Sequence, residues 1–307
     1  MKKYLVIGNP IKHSLSPELH NHWIKQNHID AIYEKKELNH CELENLILHI
    51  KKENMHGVNI TVPFKNAIIP HIDAIYEKKE LNHNELENLI LNIKEENMHG
   101  ANITTPFKNA IIPHLDELSD EAKKTQSVNT IYLQNKKVVG HNTDIEGFER
   151  AIKEINFDFS GKKIFILGAG GVVPSIIYAS IKMKAAEIFV SNRTKGKADD
   201  IKNNFENIKL IDWGEVPNFD VIINATSLGL NQDDKINLNF TNIGNNKLFY
   251  DVIYNPSETN FLNIGKKLGN KYENGKLMFI YQAYSAFKLW HGIEPKINNE
   301  TIKLLDR

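Results

Sequence analysis

The stretch KKIFILGAGGVV, residues 162–173, determines the fold expected for the second half of the chain. The apolar run IFIL predicts a buried strand that ends at Gly168, and a helical pattern follows to about Met183. Glycines at such a turn let the backbone approach a pyrophosphate, while the helix amino terminus supplies free N–H groups. We therefore expect a dinucleotide site at Gly168, Gly170 and Gly171. Because Val173 replaces the usual third glycine, a tight turn without ligand is the alternative.

The next strand, EIFVSNRT (187–194), indicates which dinucleotide would bind. A cofactor without a 2′-phosphate is usually met here by Asp or Glu, which bind the ribose hydroxyls. This strand ends instead in Asn192, Arg193 and Thr194, and a guanidinium suits a 2′-phosphate through charge-assisted hydrogen bonds. The tip therefore favours NADP over NAD, with a solvated surface arginine as the alternative.

Strands and helices also alternate in the first half of the chain, which indicates an α/β fold. KYLVI (3–7) predicts a strand, and a helix is expected from Pro17 to Asn27, with Ser16 as N-cap and Pro17 at N1. DELSDEAKK (116–124) predicts a polar helix, and two strands and a connecting helix follow. Because a cleaner βαβ series begins at residue 162, we expect a domain boundary near residue 145.

A tandem repeat occupies residues 28–70 and 71–113, which align over 43 positions with five differences. Each copy predicts a strand (AIYEKKE), an amphipathic helix, and a second strand (GVNIT or GANIT). Two copies are too few for a solenoid, so we interpret the repeat as a tandem insertion. NITVPFK ends in Lys65 and NITTPFK in Lys108, so one candidate lysine occurs twice.

Five residues in the first half of the chain carry candidate chemistry. An ammonium at Lys65 or Lys108 near the carboxylate of Asp144 could donate a proton to a forming alkoxide and reclaim it in reverse. Ser14 and Ser16, at a helix start, could bind a substrate carboxylate, with simple helix capping as the alternative. Each lysine could equally be an exposed charge, and Asp144 a turn residue.

Composition limits the class of protein. Lys plus Arg and Asp plus Glu both number 38, so no net field favours nucleic acid or an anionic membrane, and small-molecule partners are expected. The single cysteine, Cys41, forms no internal disulfide, and YLVI is too short for a signal peptide or membrane span, which predicts a cytoplasmic protein. The thirteen histidines show no metal-ligand spacing, so no metal is expected.

Taken in order, the motifs resemble the shikimate dehydrogenase family over nearly the whole chain. They are GNPIKHSLSP, NITVPFK, SVNT, HNTD, GAGG, NRT, NATSLGL, DVIYNP and YQAYSAFKLWHG. The resemblance implies NADPH-dependent, reversible reduction of 3-dehydroshikimate to shikimate in the shikimate pathway of aromatic amino acid biosynthesis. It also implies an α/β substrate-binding domain (1–144), a Rossmann-like NADP-binding domain (145–274), and carboxy-terminal helices (275–307) that return to the substrate domain.

The resemblance also implies roles for individual residues. Lys65 or Lys108 would be the proton donor and acceptor, paired with Asp144. Residues that would contact or face the substrate are Ser14, Ser16, Thr61 or Thr104, Asn129, Asp144, Tyr254 and Gln282. Residues that would contact the cofactor are Gly168, Ala169, Gly170, Gly171, Asn192, Arg193 and Thr194.

The repeat leaves the identity of the working lysine open. Lys65 lies 51 residues after Ser14 and Lys108 lies 21 residues before Asn129, and the family pattern predicts both spacings. The TVPFK spelling slightly favours Lys65. A spare copy could pack on the surface of a monomer or homodimer, or swap into a neighbouring molecule. The alternatives are a quinate or shikimate dehydrogenase that prefers NAD, an inactive NADP-binding protein, and a chain whose insertion prevents stable folding.

Overall fold

The computed structural model describes residues 2–8, 15–37, 55–60, 94, 100–103, 107–231 and 233–305. The chain divides into two compact units. The first unit comprises Met1–Thr143 with Ala283–Arg307, and the second comprises Asp144–Gln282. Within these described ranges, no helix is long and apolar enough to cross a lipid bilayer.

The described part of the first 143 residues contains two small sheets. Their strands are β1 (Lys2–Gly8), β2 (Ala31–Glu37), β3 (Met55–Ile60), β4 (Gly100–Asn102), β5 (Glu117–Leu118), β6 (Thr130–Gln134) and β7 (Lys137–His141), and their helices are α1 (Ser16–Gln26), α2 (Phe107–Ala110) and α3 (Asp120–Thr125). The first sheet has the order β2-β1-β3 and is parallel. The second has the order β4-β6-β7-β5. In it β6 runs antiparallel to both β4 and β7, while β5 runs parallel to β7.

The two repeat copies pair with different neighbours in these sheets. The first copy supplies β2, which confirms the predicted AIYEKKE strand, and β3; the two strands flank β1. The second copy supplies β4, which pairs with β6. Equivalent segments of the repeat therefore belong to different sheets. The second AIYEKKE segment and both predicted helix stripes lie outside the described residues.

Two predicted helix starts are wrong. Helix α1 begins at Ser16, so its N-cap is Leu15, whose carbonyl accepts the Leu19 N–H at 3.2 Å. DELSDEAKK is not one helix, because residues 117 and 118 pair with β7 and α3 begins only at residue 120. Ser119 starts this helix by accepting the Ala122 N–H at 3.2 Å through its hydroxyl.

A buried aromatic cluster forms part of the core of the first unit. The His20 imidazole stacks on Tyr33, with ring centroids 4.5 Å apart, and lies 6.1 Å from Trp290. The Trp290 indole donates a 3.1 Å hydrogen bond to the Ile131 carbonyl of β6. At Gly100 of β4, a Cβ would lie 2.1 Å from the Trp290 indole nitrogen, so this strand approaches the indole more closely than any side chain would allow.

The second unit contains a six-stranded parallel sheet. Its strands are β8 (Lys163–Leu167), β9 (Glu187–Ser191), β10 (Lys209–Leu210), β11 (Val221–Asn224), β12 (Leu248–Asp251) and β13 (Lys271–Glu273). The α-helices described beyond residue 142 are α4 (Thr143–Glu154), α5 (Val173–Lys182), α6 (Lys195–Asn204), α7 (Asn260–Lys267), α8 (Lys276–His291) and α9 (Asn299–Lys303). The strand order is β10-β9-β8-β11-β12-β13.

This strand order creates a topological switch point. From β8 the chain runs outward to β9 and β10, and then returns to place β11 on the other side of β8. In open parallel sheets a ligand binds outside the carboxyl ends of the strands at such a point. The order therefore confirms the predicted Rossmann-like α/β fold and places its ligand edge at the ends of β8 and β11.

The central strands are buried on both faces, as parallel strands covered by helices must be. All four residues of the predicted IFIL strand segment are fully buried. Ile164 and Ile166 belong to one apolar cluster, while Phe165 and Leu167 belong to another. Alternate side chains of β8 therefore build the cores on opposite faces of the sheet.

Candidate functional site

Asn129, which directly precedes β6, is hydrogen-bonded to Thr143, the first residue of α4. Its side-chain oxygen accepts the Thr143 backbone N–H at 2.8 Å, and its amide nitrogen donates to the Thr143 hydroxyl at 2.9 Å. The asparagine is buried, as are its neighbour Thr130 and Thr143. The SVNT and HNTD motifs are therefore joined by one hydrogen-bonded network at the beginning of α4.

The second repeat copy contributes to the same network. The Asn102 amide donates to the Asn129 carbonyl at 3.3 Å and to the Thr130 hydroxyl at 3.1 Å. The Ile103 N–H also donates to the Asn129 carbonyl, at 2.7 Å. The NIT segment of the second copy is thus fixed against the SVNT motif.

Lys108 lies in α2, which follows this segment, and its side chain is half-buried. Its backbone carbonyl accepts the Val128 N–H at 2.7 Å, so the lysine backbone is bonded to the residue before Asn129. Ser14, Thr61, Lys65 and Thr104 lie outside the described residues, while Ser16 is half-buried in the first turn of α1.

Asp144 begins the second unit and lies in the first turn of α4, with 8% of its surface exposed. One turn later, a Cβ at Gly147 would lie 2.9 Å from both the Gln282 nitrogen and the Met278 carbonyl of α8. The missing side chain lets the two helices cross backbone to backbone beside Asp144 and Gln282.

The predicted glycine turn follows β8. Gly168 has a φ of +114° and its N–H donates to the Ser191 carbonyl at 2.8 Å. Gly170 is exposed, and a Cβ there would lie 3.9 Å from the Ala225 carbonyl oxygen, so a pyrophosphate can approach this backbone from the solvent side. Val173, in place of a third glycine, is fully buried in the core at the start of α5. The turn and the helix terminus together fit a dinucleotide pyrophosphate.

The tip of β9 is the only part of the predicted cofactor site that carries charge. Arg193 and Thr194 are exposed, and the Asn192 amide donates to the Thr194 carbonyl at 2.8 Å. Lys195, also exposed, begins α6. Two cations beside a helix amino terminus fit the 2′-phosphate of NADP.

Tyr254 lies in the loop after β12 and stacks on Phe279, with ring centroids 4.6 Å apart. Burial raises the pKa of Tyr254 to about 12, so the phenol stays protonated at neutral pH. The Gln282 amide donates to the Phe279 carbonyl at 2.9 Å. The two residues predicted from DVIYNP and YQAYSAF are therefore both connected to Phe279 of α8.

A buried carboxylate that the sequence motifs did not indicate lies three residues before Tyr254. Asp251, the last residue of β12, is fully buried and is bonded to Asn224 and Thr259. Burial raises the pKa of its carboxyl to about 6, although the hydrogen bonds from Thr259, Ile253 and Asn224 favour the charged form. The available signal was an aspartate that ends the apolar strand LFYD.

Two protein-family models match the chain. The model described as the shikimate dehydrogenase substrate binding domain matches residues 6–78 and again residues 71–131. Each of these matches contains one copy of the repeat. The model described as shikimate / quinate 5-dehydrogenase matches residues 149–246, which include the glycine turn and the β9 tip.

Individual proteins resemble the chain over its whole length. A shikimate dehydrogenase (NADP(+)) from Pelagibacter ubique is 50% identical over 305 residues, which cover 99% of each chain. A shikimate dehydrogenase (NADP(+)) from Dictyoglomus thermophilum is 39% identical and covers 95% of this chain and 92% of its own. The crystal structure of shikimate dehydrogenase from Aquifex aeolicus is 31% identical, with a TM-score of 0.74 over 100% of this chain and 98% of that one. The chain belongs to the shikimate dehydrogenase family.

Proposed function

We propose that this chain catalyses the reversible, NADP-dependent reduction of 3-dehydroshikimate to shikimate, with Lys108 as its working lysine. The observation that carries the lysine assignment is the hydrogen-bonded connection of the second repeat copy to the SVNT and HNTD motifs. NADPH, when bound, supplies the hydride that the carbonyl carbon of the substrate accepts. The Lys108 ammonium donates a proton to the carbonyl oxygen as it becomes a hydroxyl, and reclaims it in the reverse direction.

Three contacts support Lys108 over Lys65. The Lys108 carbonyl is bonded to Val128, while Asn102 and Ile103 of the same copy are bonded to Asn129. Asn129 is in turn bonded to Thr143, the residue before Asp144. Lys108 is therefore hydrogen-bonded through its backbone to the segment Val128–Asn129, and Asp144 directly follows a residue, Thr143, that is hydrogen-bonded to the same segment.

In this assignment the first repeat copy has a supporting role. It provides β2 and β3 on either side of β1, and these strands need no catalytic side chain. We extend the proposal to the chain's assembly, which would be a monomer or a homodimer, with exchange of repeat elements between molecules as the possible route to a dimer. We also propose a cytoplasmic location, because a single cysteine excludes an internal disulfide.

The remaining substrate contacts are assigned to the first unit and to the start of α4. Ser14 and Ser16 would bind the substrate carboxylate, and Asn129 and Asp144 would bind ring hydroxyls. Thr104 would join them, with Thr61 as its equivalent in the first copy. Gln282 and Tyr254, both connected to Phe279, would face the substrate.

The cofactor is assigned to the second unit. The backbone at Gly168, Ala169, Gly170 and Gly171 would bind the pyrophosphate, because this turn precedes the amino terminus of α5 and Gly170 is exposed. Asn192, Arg193 and Thr194 would bind the adenosine 2′-phosphate. An exposed guanidinium without an acidic residue at the strand tip supports NADP as the cofactor.

The test is NADP-linked oxidation of shikimate by the wild type, Lys65→Ala and Lys108→Ala. Loss of a general acid–base group costs about 10²- to 10⁴-fold in rate, so we expect this loss in kcat for Lys108→Ala and wild-type kcat for Lys65→Ala. NADPH binding, followed by cofactor fluorescence, should be the same in all three proteins. A loss confined to Lys65→Ala would reverse the assignment, and a wild type that binds NADPH without oxidising shikimate would refute the proposed activity.

A further inference from the structure

The ends of β11 and β12 share a buried hydrogen-bond network that the proposed proton transfer does not use. Asp251, the last residue of β12, accepts two hydrogen bonds of 3.0 Å at Oδ1, from the Asn224 amide and the Ile253 N–H. At Oδ2 it accepts a 2.6 Å hydrogen bond from the Thr259 hydroxyl. Because Asn224 ends β11, this one carboxylate joins the loops that follow two neighbouring strands.

The same network fixes the shape of both loops. The Asn224 amide also donates to the Leu228 carbonyl at 2.9 Å, and its oxygen accepts the Thr226 N–H at 3.1 Å and the Thr226 hydroxyl at 2.7 Å. On the other side, the Thr259 hydroxyl accepts the Leu262 N–H at 3.2 Å and so caps α7. Asp251 therefore connects loop 225–230 to loop 252–258, and all of its partners are buried or half-buried.

The two loops also pack directly on each other and on the glycine turn. Gly229 has a φ of +122°, and a Cβ there would lie 3.2 Å from side-chain atoms of Ile253 and Thr259. At Gly168 a Cβ would lie 2.8 Å from the Ala225 carbonyl oxygen. Loop 225–230 thus lies between the predicted pyrophosphate turn and loop 252–258, and a shift of one loop must displace the others.

The strand order indicates which part of a bound dinucleotide these loops would border. The 2′-phosphate residues are at the end of β9 and the pyrophosphate turn is at the end of β8. The sheet continues in the same direction to β11 and β12. A dinucleotide that crosses the switch point from β9 over β8 therefore brings its nicotinamide half to the ends of β11 and β12.

We propose that Asp251 is a positioning residue for the nicotinamide half of the cofactor: by holding Asn224 and Thr259, its carboxylate fixes the two loops that border this half. The inference rests on the cofactor assignment in the proposed function, and does not depend on which lysine transfers the proton. It predicts that removing the network weakens binding of the nicotinamide half and leaves binding of the adenosine half unchanged.

The experiment compares two probes, NADPH and 2′,5′-ADP, which carries the adenosine 2′-phosphate but lacks nicotinamide. In Asp251→Ala and in Thr259→Val we expect NADPH to bind about 10-fold more weakly, while the affinity for 2′,5′-ADP stays within about twofold of wild type. Thr259→Ser retains the hydroxyl and should restore wild-type binding of NADPH. Thr259→Val keeps the test possible if Asp251→Ala does not fold.

The matched control is Asp220→Asn. Asp220 directly precedes the opposite end of β11, where its carboxylate accepts the Lys163 N–H at 2.9 Å, so it is a hydrogen-bonded carboxylate of the same sheet far along the strand from the loops. This variant should alter stability without changing the ratio of the affinities for NADPH and 2′,5′-ADP. Equal weakening of NADPH and 2′,5′-ADP by the Asp251 and Thr259 variants, or no weakening in a folded variant, would overturn the inference.

Shikimate turnover gives a second readout. Because misplacement of reacting groups by about 1 Å can cost about 100-fold, we expect kcat to fall by 10- to 100-fold in Asp251→Ala, with the KM for shikimate nearly unchanged. The hydride step should become rate-limiting, so the isotope effect with shikimate deuterated at the carbon that loses the hydride should rise towards its intrinsic value. If wild type shows no turnover, the proposed function fails, and the two-probe comparison still decides the role of Asp251.

Discussion

His20 shows how burial of a single titratable side chain affects the stability of the first unit. Its ring is buried between Tyr33 and Trp290, and burial lowers its pKa to about 3, with a smaller contribution from His291. The folded protein therefore keeps this imidazole neutral under conditions where the unfolded chain, with a pKa of 6.5, takes up a proton. Stability from His20 is complete above pH 6.5 and is lost as the pH falls towards 3.

This difference predicts an acid-sensitive free energy of unfolding. Between pH 7.5 and pH 5.0 the wild type should lose about 2 kcal/mol through His20, because each pKa unit of difference contributes about 1.4 kcal/mol. His20→Phe keeps an aromatic ring in the stack and should lack this loss, whatever its stability at pH 7.5. Urea unfolding followed by tryptophan fluorescence at the two pH values measures the difference.

A control for the histidine prediction is His28→Asn, which changes an exposed histidine with a φ of +54°, a conformation that asparagine tolerates. We expect its pH dependence to match that of wild type. Parallel curves for wild type and His20→Phe would show that the buried ring does not account for the acid sensitivity.

Among the helices, the crossing of α4 and α8 depends on Gly147. Adding a Cβ there would place it 2.9 Å from backbone atoms of α8, which cannot rotate away as a side chain can. Gly147→Ala must therefore separate two helices that carry Asp144 and Gln282. We expect kcat for shikimate oxidation to fall by at least about 10-fold while NADPH affinity changes by less than about threefold, measured by steady-state kinetics and cofactor fluorescence.

Gly265→Ala provides a matched overpacking control. A Cβ at Gly265 of α7 would lie 2.5 Å from the Phe249 ring, so this variant also crowds a helix against its neighbour. It should reduce stability by about 1–3 kcal/mol without the selective fall in kcat. If both variants lose kcat only in proportion to their stability, the helix crossing has no specific role in catalysis.

The elements differ in how far the sequence could predict them. β8, Gly168 and α5 follow from local signals, namely an apolar run, a turn glycine and a helical pattern, and the structure has all three. The Asp251 network could not be predicted in this way, because its partners come from β11, β12 and the start of α7, and only the tertiary fold makes them neighbours. The start of α1 was predicted one residue too late, because serine is a preferred N-cap residue, whereas here Ser16 is already helical and Leu15 precedes the helix without a side-chain cap.

The pairing of the two repeat copies was also beyond local sequence. The equivalent segments GVN (57–59) and GAN (100–102) lie in β3 and β4 and differ only in Val58 and Ala101. Nevertheless β3 pairs with β1 and β4 pairs with β6. Because the local sequences are nearly identical, they cannot determine which neighbouring strand each copy pairs with. The decision lies in the order of the chain, since the first copy is tethered to β1 and the second to β6.

At the level of the whole chain, this order predicts that one copy can replace both. Deleting residues 71–113 removes 43 of the 307 residues and leaves 264, with a single NIT strand available to both β1 and β6. Because the two copies are nearly identical, we expect the shortened protein to fold and to oxidise shikimate with a kcat within about 10-fold of the full-length chain. Circular dichroism, light scattering and the NADP-linked assay measure the outcome.

The effect of Lys65→Ala should differ between the full-length chain and the shortened chain. In the full-length chain Lys65 belongs to the copy that flanks β1, so its loss should leave kcat unchanged. In the shortened chain Lys65 lies 21 residues before Asn129, the spacing that Lys108 has in the full-length chain, and must transfer the proton. We therefore expect Lys65→Ala to reduce kcat by about 10²- to 10⁴-fold only in the shortened protein. An equal loss in both backgrounds would show that Lys65 works in the intact chain. No loss in either would mean that proton transfer does not require this lysine, because the shortened chain has no second copy to supply one.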